Sequence, residues 1–169
     1  DLTVTGVQTC ALPILQALAW IDSLYSTMTK GIVLLIDYGM GRNEYHHPQR
    51  KDGTLRCHYR HKASDNPFVK IGKQDITTSV NFSDIAERAV EAGFELSGYC
   101  TQAMFLISLG IENFLIQEED DAKRNTLAQQ IKQLLLPSAM GETFKVLALS
   151  KKQTVKLDGF REQNLLNKL

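Results

Sequence analysis

The feature that most constrains this chain is a short apolar run, residues 32–36, that stops abruptly at Asp37, Tyr38 and Gly39. The run shows no alternation of apolar and polar residues, is rich in branched side chains and follows Gly31. This combination is typical of a β-strand that is buried on both faces. Because ligands of open α/β sheets bind beyond the carboxyl ends of such strands, we look for chemistry first at these three residues.

The pattern on both sides of this run predicts an α/β fold. Apolar residues recur at helical spacing from Leu15 to Met28, and the turn at Gly31 then leads directly into the strand, as in the second half of a βαβ crossover. Downstream, a helix is expected over residues 81–93, with Asn81 or Ser83 as its N-cap. Further helices are expected over residues 102–109 and 122–136, and strands over residues 94–101 and 144–149.

Residues 40–80 form a long polar stretch that matches no single regular element, apart from a short strand near residues 55–59. Loops of this length in compact domains are usually functional or disordered, and the aromatic and histidine residues here argue for function. Four histidines lie close to Cys57, which raises the alternative of a metal-dependent hydrolase. We assign no metal site, because adjacent histidines rarely converge on one ion and no second ligand pair exists. The histidines are His46, His47, His58 and His61.

The chain has 169 residues, the length of one domain. It carries 19 basic and 19 acidic side chains and has a formal net charge of zero. This balance removes the simplest argument for a nucleic acid or an acidic membrane as partner. No apolar run approaches the roughly 18 residues of a membrane span. The three scattered cysteines indicate a reducing compartment without a disulfide framework.

An ordered series of motifs resembles the MidA-like family of S-adenosylmethionine-dependent methyltransferases, from about residue 20 to residue 160. The series includes Gly31-x-x-Leu-x-Ile-Asp-Tyr-Gly39, Arg50-x-x-Gly-Thr-Leu55, Tyr59-x-His61, Gly72-x-x-Asp-Ile-Thr77, Val80-Asn-Phe82 and Met140-Gly-x-x-Phe-Lys-Val-Leu147. The mitochondrial member of this family is associated with assembly of respiratory complex I, and it methylates an arginine of one complex I subunit.

The resemblance implies the C-terminal part of a Rossmann-like class I methyltransferase sheet with a helical insertion at about residues 102–140. Residues 32–36 would form its fifth strand, and residues 94–101 and 144–149 its closing pair. We expect residues 1–14 to be an artefactual or disordered leader, because they resemble translated sequencing adapters. Residues 15–151 would then be the methyltransferase part, and residues 152–169 a partly ordered tail.

The same resemblance implies S-adenosyl-L-methionine as cofactor, although its glycine-rich loop and ribose-binding acid lie upstream in the family. We therefore assign no cofactor-binding residue here and expect the chain alone to be inactive. The expected acceptor is a protein, with a complex I subunit as the candidate, in the bacterial cytoplasm or the mitochondrial matrix.

Methyl transfer to a guanidinium needs a carboxylate that orients the nucleophile and a site that excludes water. The catalytic candidates are Asp37 and Asp75, and each also has a simpler reading as a cap of nearby backbone amides. The substrate-binding candidates lie around them and comprise Tyr38, Gly39, Arg50, Gly53, Thr54, His61, Thr77 and Gln102. Arg50 is equally interpreted as an ordinary loop anchor.

A rival interpretation is a non-catalytic module that binds or assembles a partner protein. The missing cofactor loop favours it for this stretch of chain. Cofactor binding by a form of the gene that extends upstream separates the two interpretations.

Overall fold

The computed structural model describes residues 16–51, 53–60 and 62–169, so the expected leader (residues 1–14) and His61 lie outside the described residues. The helices are α1 (Ala17–Thr27), α2 (Arg42–Tyr45), α3 (Phe82–Ala92), α4 (Gln102–Ser108), α5 (Asn113–Gln117) and α6 (Asp121–Leu135). The strands are β1 (Gly31–Met40), β2 (Arg56–Tyr59), β3 (Lys62–Ser64), β4 (Asp75–Thr77), β5 (Val80–Asn81), β6 (Glu95–Thr101) and β7 (Phe144–Lys151). Two 3-10 turns follow at Asp158–Phe160 and Leu166–Lys168.

The central sheet has the strand order β5-β1-β7-β6. Strand β7 runs antiparallel to both of its neighbours. Its pairing with β1 extends from Gly31↔Lys151 to Tyr38↔Phe144, and its pairing with β6 covers Glu95 to Thr101 of that strand. Strand β5 runs parallel to β1 and pairs only with its last residues, through Gly39↔Val80. This mixed α/β sheet confirms the expected fold class and places the expected closing pair, β6 and β7, beside the central strand.

Helices α1 and α3 cover one face of this sheet. The side chain of Asn81 caps α3 by accepting a hydrogen bond from the Ser83 amide (3.2 Å), and Gly93 ends the helix with φ +107°. A Cβ at Gly93 would lie 2.6 Å from the Tyr25 hydroxyl, because the Tyr25 ring of α1 packs there. The core on this face contains the residues Ile21, Phe82, Ile85, Ala86, Ala89, Phe94, Tyr99, Leu147 and Leu149.

The opposite face of β6 and β7 is covered by α4 and the C-terminal residues. Phe160 packs directly on Gly98 and contacts Cys100 in a second small core, and its ring meets that of Phe105 edge-on at 5.3 Å. The Tyr99 amide donates a hydrogen bond to the side-chain oxygen of Asn164, in the C-terminal residues, at 3.2 Å. Residues 152–169, expected as a partly ordered tail, therefore pack against the sheet as part of the fold.

Within the part of the chain that the structure describes, strand β1 is covered on one face, so the predicted burial on both faces is not found among these residues. Its side chains alternate: Val33 and Leu35 pack on the α1–α3 core, whereas Ile32, Leu34 and Ile36 are 36%, 42% and 49% exposed. The sequence could not reveal this alternation, because both faces of the strand carry apolar residues and only one is covered by described residues.

Residues 40–80 contain a second, three-stranded sheet with the order β3-β2-β4. The expected strand near residues 55–59 is confirmed as β2, which lies at the centre of this sheet with Cys57 fully buried. Strands β3 and β4 have three residues each, too few for a periodic pattern to predict them.

Among the described residues, no helix has both the length and the hydropathy that crossing a lipid bilayer requires.

The buried Cys100 thiol and Tyr99 phenol of β6 make the stability of the fold decrease at alkaline pH. Burial raises the pKa of the Cys100 thiol to about 12, and burial and then the nearby Glu44 charge also raise the pKa of Tyr99. Both folded-state pKa values lie above the unfolded ones. The stabilisation is thus complete below the unfolded pKa of a thiol, about 8.5, and is lost as pH rises above it.

We expect the free energy of unfolding measured in urea to fall by about 2 kcal/mol between pH 7 and pH 10 from Cys100 alone. The variant Cys100→Ala lacks the thiol and should show a correspondingly flatter decline. An equal decline in both proteins would mean that this thiol is not shielded from ionisation.

Candidate active site at the carboxyl end of the central strand

The carboxyl end of β1 is held by a close crossing of three segments. A Cβ at Gly39 would lie 2.4 Å from the Val80 carbonyl oxygen and 2.5 Å from the Phe82 ring, so only glycine permits the parallel pairing of β1 with β5. The Gly39 amide donates to the Thr143 carbonyl on the other side, at 3.2 Å. Asp37 and Tyr38 are therefore fixed immediately before a rigid crossing.

Asp37 is exposed at this end of the sheet, and its Oδ1 accepts a hydrogen bond from the Tyr38 amide at 2.7 Å. Tyr38 is also exposed on one side, while its ring lies against that of Phe144, with the centroids 4.1 Å apart. The sequence analysis expected the strand to stop before Asp37, whereas β1 continues to Met40, so the exposed carboxylate and the aromatic ring lie within its last four residues. Their predicted roles remain predictions.

Lys145 is the residue at this end that sequence reasoning missed. It lies directly opposite Asp37 in the β1–β7 register, and its Nζ donates to the Glu142 carbonyl. Burial lowers the pKa of Lys145, while the charges of Glu44 and Glu142 oppose that shift. Only the pairing of two strands more than a hundred residues apart brings Lys145 beside Asp37, and no local pattern signals it.

Arg50 is anchored within the loop that follows β1. Its Nε donates to the Glu44 carbonyl at 3.0 Å, and its guanidinium lies 3.5 Å from the Glu44 carboxylate. Arg42, at the start of α2, donates its amide to the Ser83 hydroxyl and its guanidinium to Asp84 (2.8 Å). In this structure both arginines hold loop segments in place, which matches the simpler of the two interpretations of Arg50.

The remaining candidates of residues 53–77 belong to the second sheet. Thr54 Oγ1 lies 2.6 Å from Thr78 Oγ1 and accepts from the Ser79 amide, while Thr77 Oγ1 donates to the Arg56 carbonyl. Gly53 adopts φ +71° with open space around it. Both threonine hydroxyls therefore hold the segment that leads from the second sheet into β5.

Asp75 is exposed in β4, opposite His58, in a different sheet from Asp37. Gln102 is buried, and its Nε2 donates to the Leu134 carbonyl at 3.1 Å, which ties the start of α4 to the end of α6. The amide of Gln102 is thus engaged in helix packing, whereas the Asp75 carboxylate is open to solvent.

Among the residues that the structure describes, no group of three histidine, cysteine, aspartate or glutamate side chains is placed to hold a metal ion.

The described residues do not by themselves fit a nucleoside cofactor such as S-adenosylmethionine. The space beside Gly39, near the end of β1, is filled by Val80 and Phe82, and the helix α2 that follows β1 has only four residues. A turn that binds the phosphate or nucleoside part of a cofactor needs a glycine-rich loop that leads into a longer helix.

Residues 12–100 match a family model described as "Putative S-adenosyl-L-methionine-dependent methyltransferase". The chain is 33% identical over 130 residues to bovine "Protein arginine methyltransferase NDUFAF7, mitochondrial", which covers 73% of this chain and 27% of that protein. The human protein of the same name is 31% identical over 140 residues, or 80% of this chain and 29% of that protein. The chain thus spans less than a third of the length of these relatives.

Two solved structures from Burkholderia thailandensis have the same fold. One, with S-adenosyl-homocysteine bound, is 40% identical with a TM-score of 0.85, over 90% of this chain and 40% of that chain. The other, a native structure of an uncharacterised protein, is 41% identical with a TM-score of 0.86, over 90% and 41%. The expected recognition is therefore confirmed: the chain belongs to this family of S-adenosylmethionine-dependent methyltransferases.

Proposed function

We propose that this chain forms the acceptor side of an S-adenosylmethionine-dependent protein arginine methyltransferase, whose cofactor loop lies outside this sequence. The observation that carries the proposal is the exposed Asp37 carboxylate at the end of the central strand, in a chain similar to two proteins named as arginine methyltransferases. The relatives' names also suggest the mitochondrial matrix for a eukaryotic version, and complex I assembly as the context.

The uncovered side of β1 supports the view that more of the domain is needed. The apolar side chains of Ile32, Leu34 and Ile36 face solvent, and β1 pairs with β5 only at Gly39 and Met40. An apolar strand face with a free edge is normally covered in a soluble domain. The rest of the methyltransferase sheet would bury this face.

In the proposed site, Asp37 accepts hydrogen bonds from a guanidinium and orients its nucleophilic nitrogen. Tyr38 points to the opposite face of the strand from Asp37, where its ring packs on Phe144 and would shield the end of the strand from water. Lys145 lies opposite Asp37 in the β1–β7 register and brings a positive charge to this end of the sheet. Asp75 is the second carboxylate, and it would act only if the acceptor reaches across to β4.

The cofactor part of the proposal is tested by calorimetric titration of S-adenosylmethionine into this chain and into the gene extended upstream. We expect binding by the extended form alone, because the described residues do not form a nucleoside site. If neither form binds, the chain acts instead as a binding or assembly module.

The catalytic part is tested in the extended enzyme with the variant Asp37→Asn. Asparagine keeps the shape of the side chain but removes its charge, so we expect a loss of about 100-fold in kcat/KM for arginine methylation. The matched control is Glu95→Gln, an exposed carboxylate at the opposite end of the sheet. If Asp37→Asn methylates as fast as this control, the assignment of Asp37 is wrong.

A further inference from the structure

The segment that joins α4 to α5 presents large apolar side chains to solvent. Phe114 and Ile116 of α5 are 64% and 76% exposed, and Ile107 and Leu109 before them are exposed as well. None of the five residues of α5 is buried. Several exposed large apolar side chains that are close together in the sequence mark this segment as a candidate interaction site.

This apolar segment is held in a defined conformation by the end of α4. Gly110, with φ +75°, donates its amide to the Ile107 carbonyl, and the Ile111 amide donates to the Leu106 carbonyl at 3.1 Å. These two bonds form the Schellman motif that closes a helix. The Asn113 amide then donates to the Gly110 carbonyl and begins α5.

The same segment is strongly acidic. Residues 103–122 contain five carboxylates and no lysine, arginine or histidine. Asp121 pairs with Arg124, whereas the Glu118 and Asp120 carboxylates accept hydrogen bonds from backbone amides, including that of Lys123 at 3.0 Å. The neighbouring cations, Lys123, Arg124 and Arg161, leave an excess of negative charge around the apolar side chains.

An open groove lies along the first turns of α6, next in the sequence to this segment. It has a volume of about 340 Å³ and begins at Glu118, the residue that follows α5. Its other lining residues are Ala122, Lys123, Thr126, Leu127 and Gln130. A groove of this size beside exposed apolar residues can accept the side chain of a docked segment.

We propose that residues 107–130, here called the α4–α6 surface, bind a basic amphipathic segment of a partner protein. The apolar side chains of such a segment pack on the exposed apolar side chains of this surface and enter the groove, while its arginines and lysines meet the carboxylates around them. The negative charge disfavours the other classes of partner, because anionic lipid surfaces and nucleic acids would be repelled. This proposal concerns docking and holds whether or not the chain transfers a methyl group.

The test uses the full chain and a synthetic peptide of about 18 residues, with leucines at helical spacing and arginines on the other positions. Fluorescence anisotropy should show saturable binding that weakens as salt rises. We expect the double variant Phe114→Ser with Ile116→Ser to bind the peptide at least about tenfold more weakly. The charge variant Glu118→Gln with Glu119→Gln should bind severalfold more weakly.

The matched control is Phe68→Ser with Val69→Ser, which removes apolar side chains that are 71% and 47% exposed elsewhere on the chain. Circular dichroism melts should be unchanged in all three double variants, because the side chains are exposed. The proposal is overturned if the control weakens binding equally, or if a peptide with glutamate in place of arginine binds as tightly. It is also overturned if sedimentation shows a dimer that Phe114→Ser with Ile116→Ser dissociates, since a second copy would then occupy the surface.

Discussion

Replacement of Gly39 by alanine is expected to lower the free energy of unfolding by about 3 kcal/mol or more. The added Cβ would overlap the Val80 carbonyl oxygen at 2.4 Å and the Phe82 ring at 2.5 Å, and the first of these is backbone that cannot rotate away. Strand β5 would have to leave β1, and the N-terminus of α3 would move with it because α3 begins at Phe82. Urea unfolding monitored by circular dichroism measures the change.

The control for this prediction is Gly53→Ala. A Cβ at Gly53 meets nothing within 4 Å, so only the cost of its positive φ, about 1 kcal/mol, is expected. Replacing the ring by Phe82→Leu in the Gly39→Ala variant should not restore stability, because the Val80 carbonyl oxygen still overlaps the Cβ of the new alanine. Full rescue by that second change would show that β5 can shift and that the crossing is not rigid.

Gly98 and Phe160 are expected to show strong energetic coupling. All three of the nearest atoms that a Cβ at Gly98 would meet belong to the Phe160 ring, at 2.4 to 2.6 Å. Gly98→Ala should therefore cost about 2 kcal/mol by displacing the ring, and Phe160→Ala about 3–5 kcal/mol by emptying its pocket. The double variant should cost little more than Phe160→Ala alone, because the ring that opposes the new methyl group is gone.

A double-mutant cycle in urea measures this coupling, which we expect to be about 1–3 kcal/mol. Gly39→Ala combined with Phe160→Ala is the matched comparison, and its two effects should add. Additive effects for Gly98 and Phe160 would mean that the C-terminal residues do not pack on β6 in solution.

Much of the fold was predictable because the deciding signals are local. Helix α3 is capped by Asn81 and ended by Gly93 as expected, and α6 begins at Asp121, the last residue of the acidic run, with the Asp120 side chain as its cap. Pro137 follows α6 closely, in agreement with the predicted stop. The family was predictable because each of its motifs consists of residues that are close together in the sequence, and because the motifs follow one another in order.

The features that the sequence did not reveal depend on contacts between distant residues. The uncovered side of β1 and the position of Lys145 opposite Asp37 both follow from the pairing of β1 with β7. Likewise, the five-residue helix α5 was not expected, because its apolar residues are too few to show a period. At the candidate site, the end of the apolar run was a local signal, but β1 continues past Asp37 and Tyr38 to Met40 because it pairs there with β5. The engaged hydroxyls of Thr54 and Thr77 also depend on distant partners and were not foreseeable.

The position of β7 between β1 and β6 has a consequence for how the chain is made. Among the described strands, β6 has no partner and β1 has only its two-residue pairing with β5 until residues 144–151 have left the ribosome, although β1 is synthesised more than a hundred residues earlier. Contacts so far apart in sequence form slowly, and an apolar strand that waits for its partner invites association with other chains. Chaperone dependence during synthesis should therefore end abruptly once the last strand emerges, because a single segment completes the hydrogen bonding of two others.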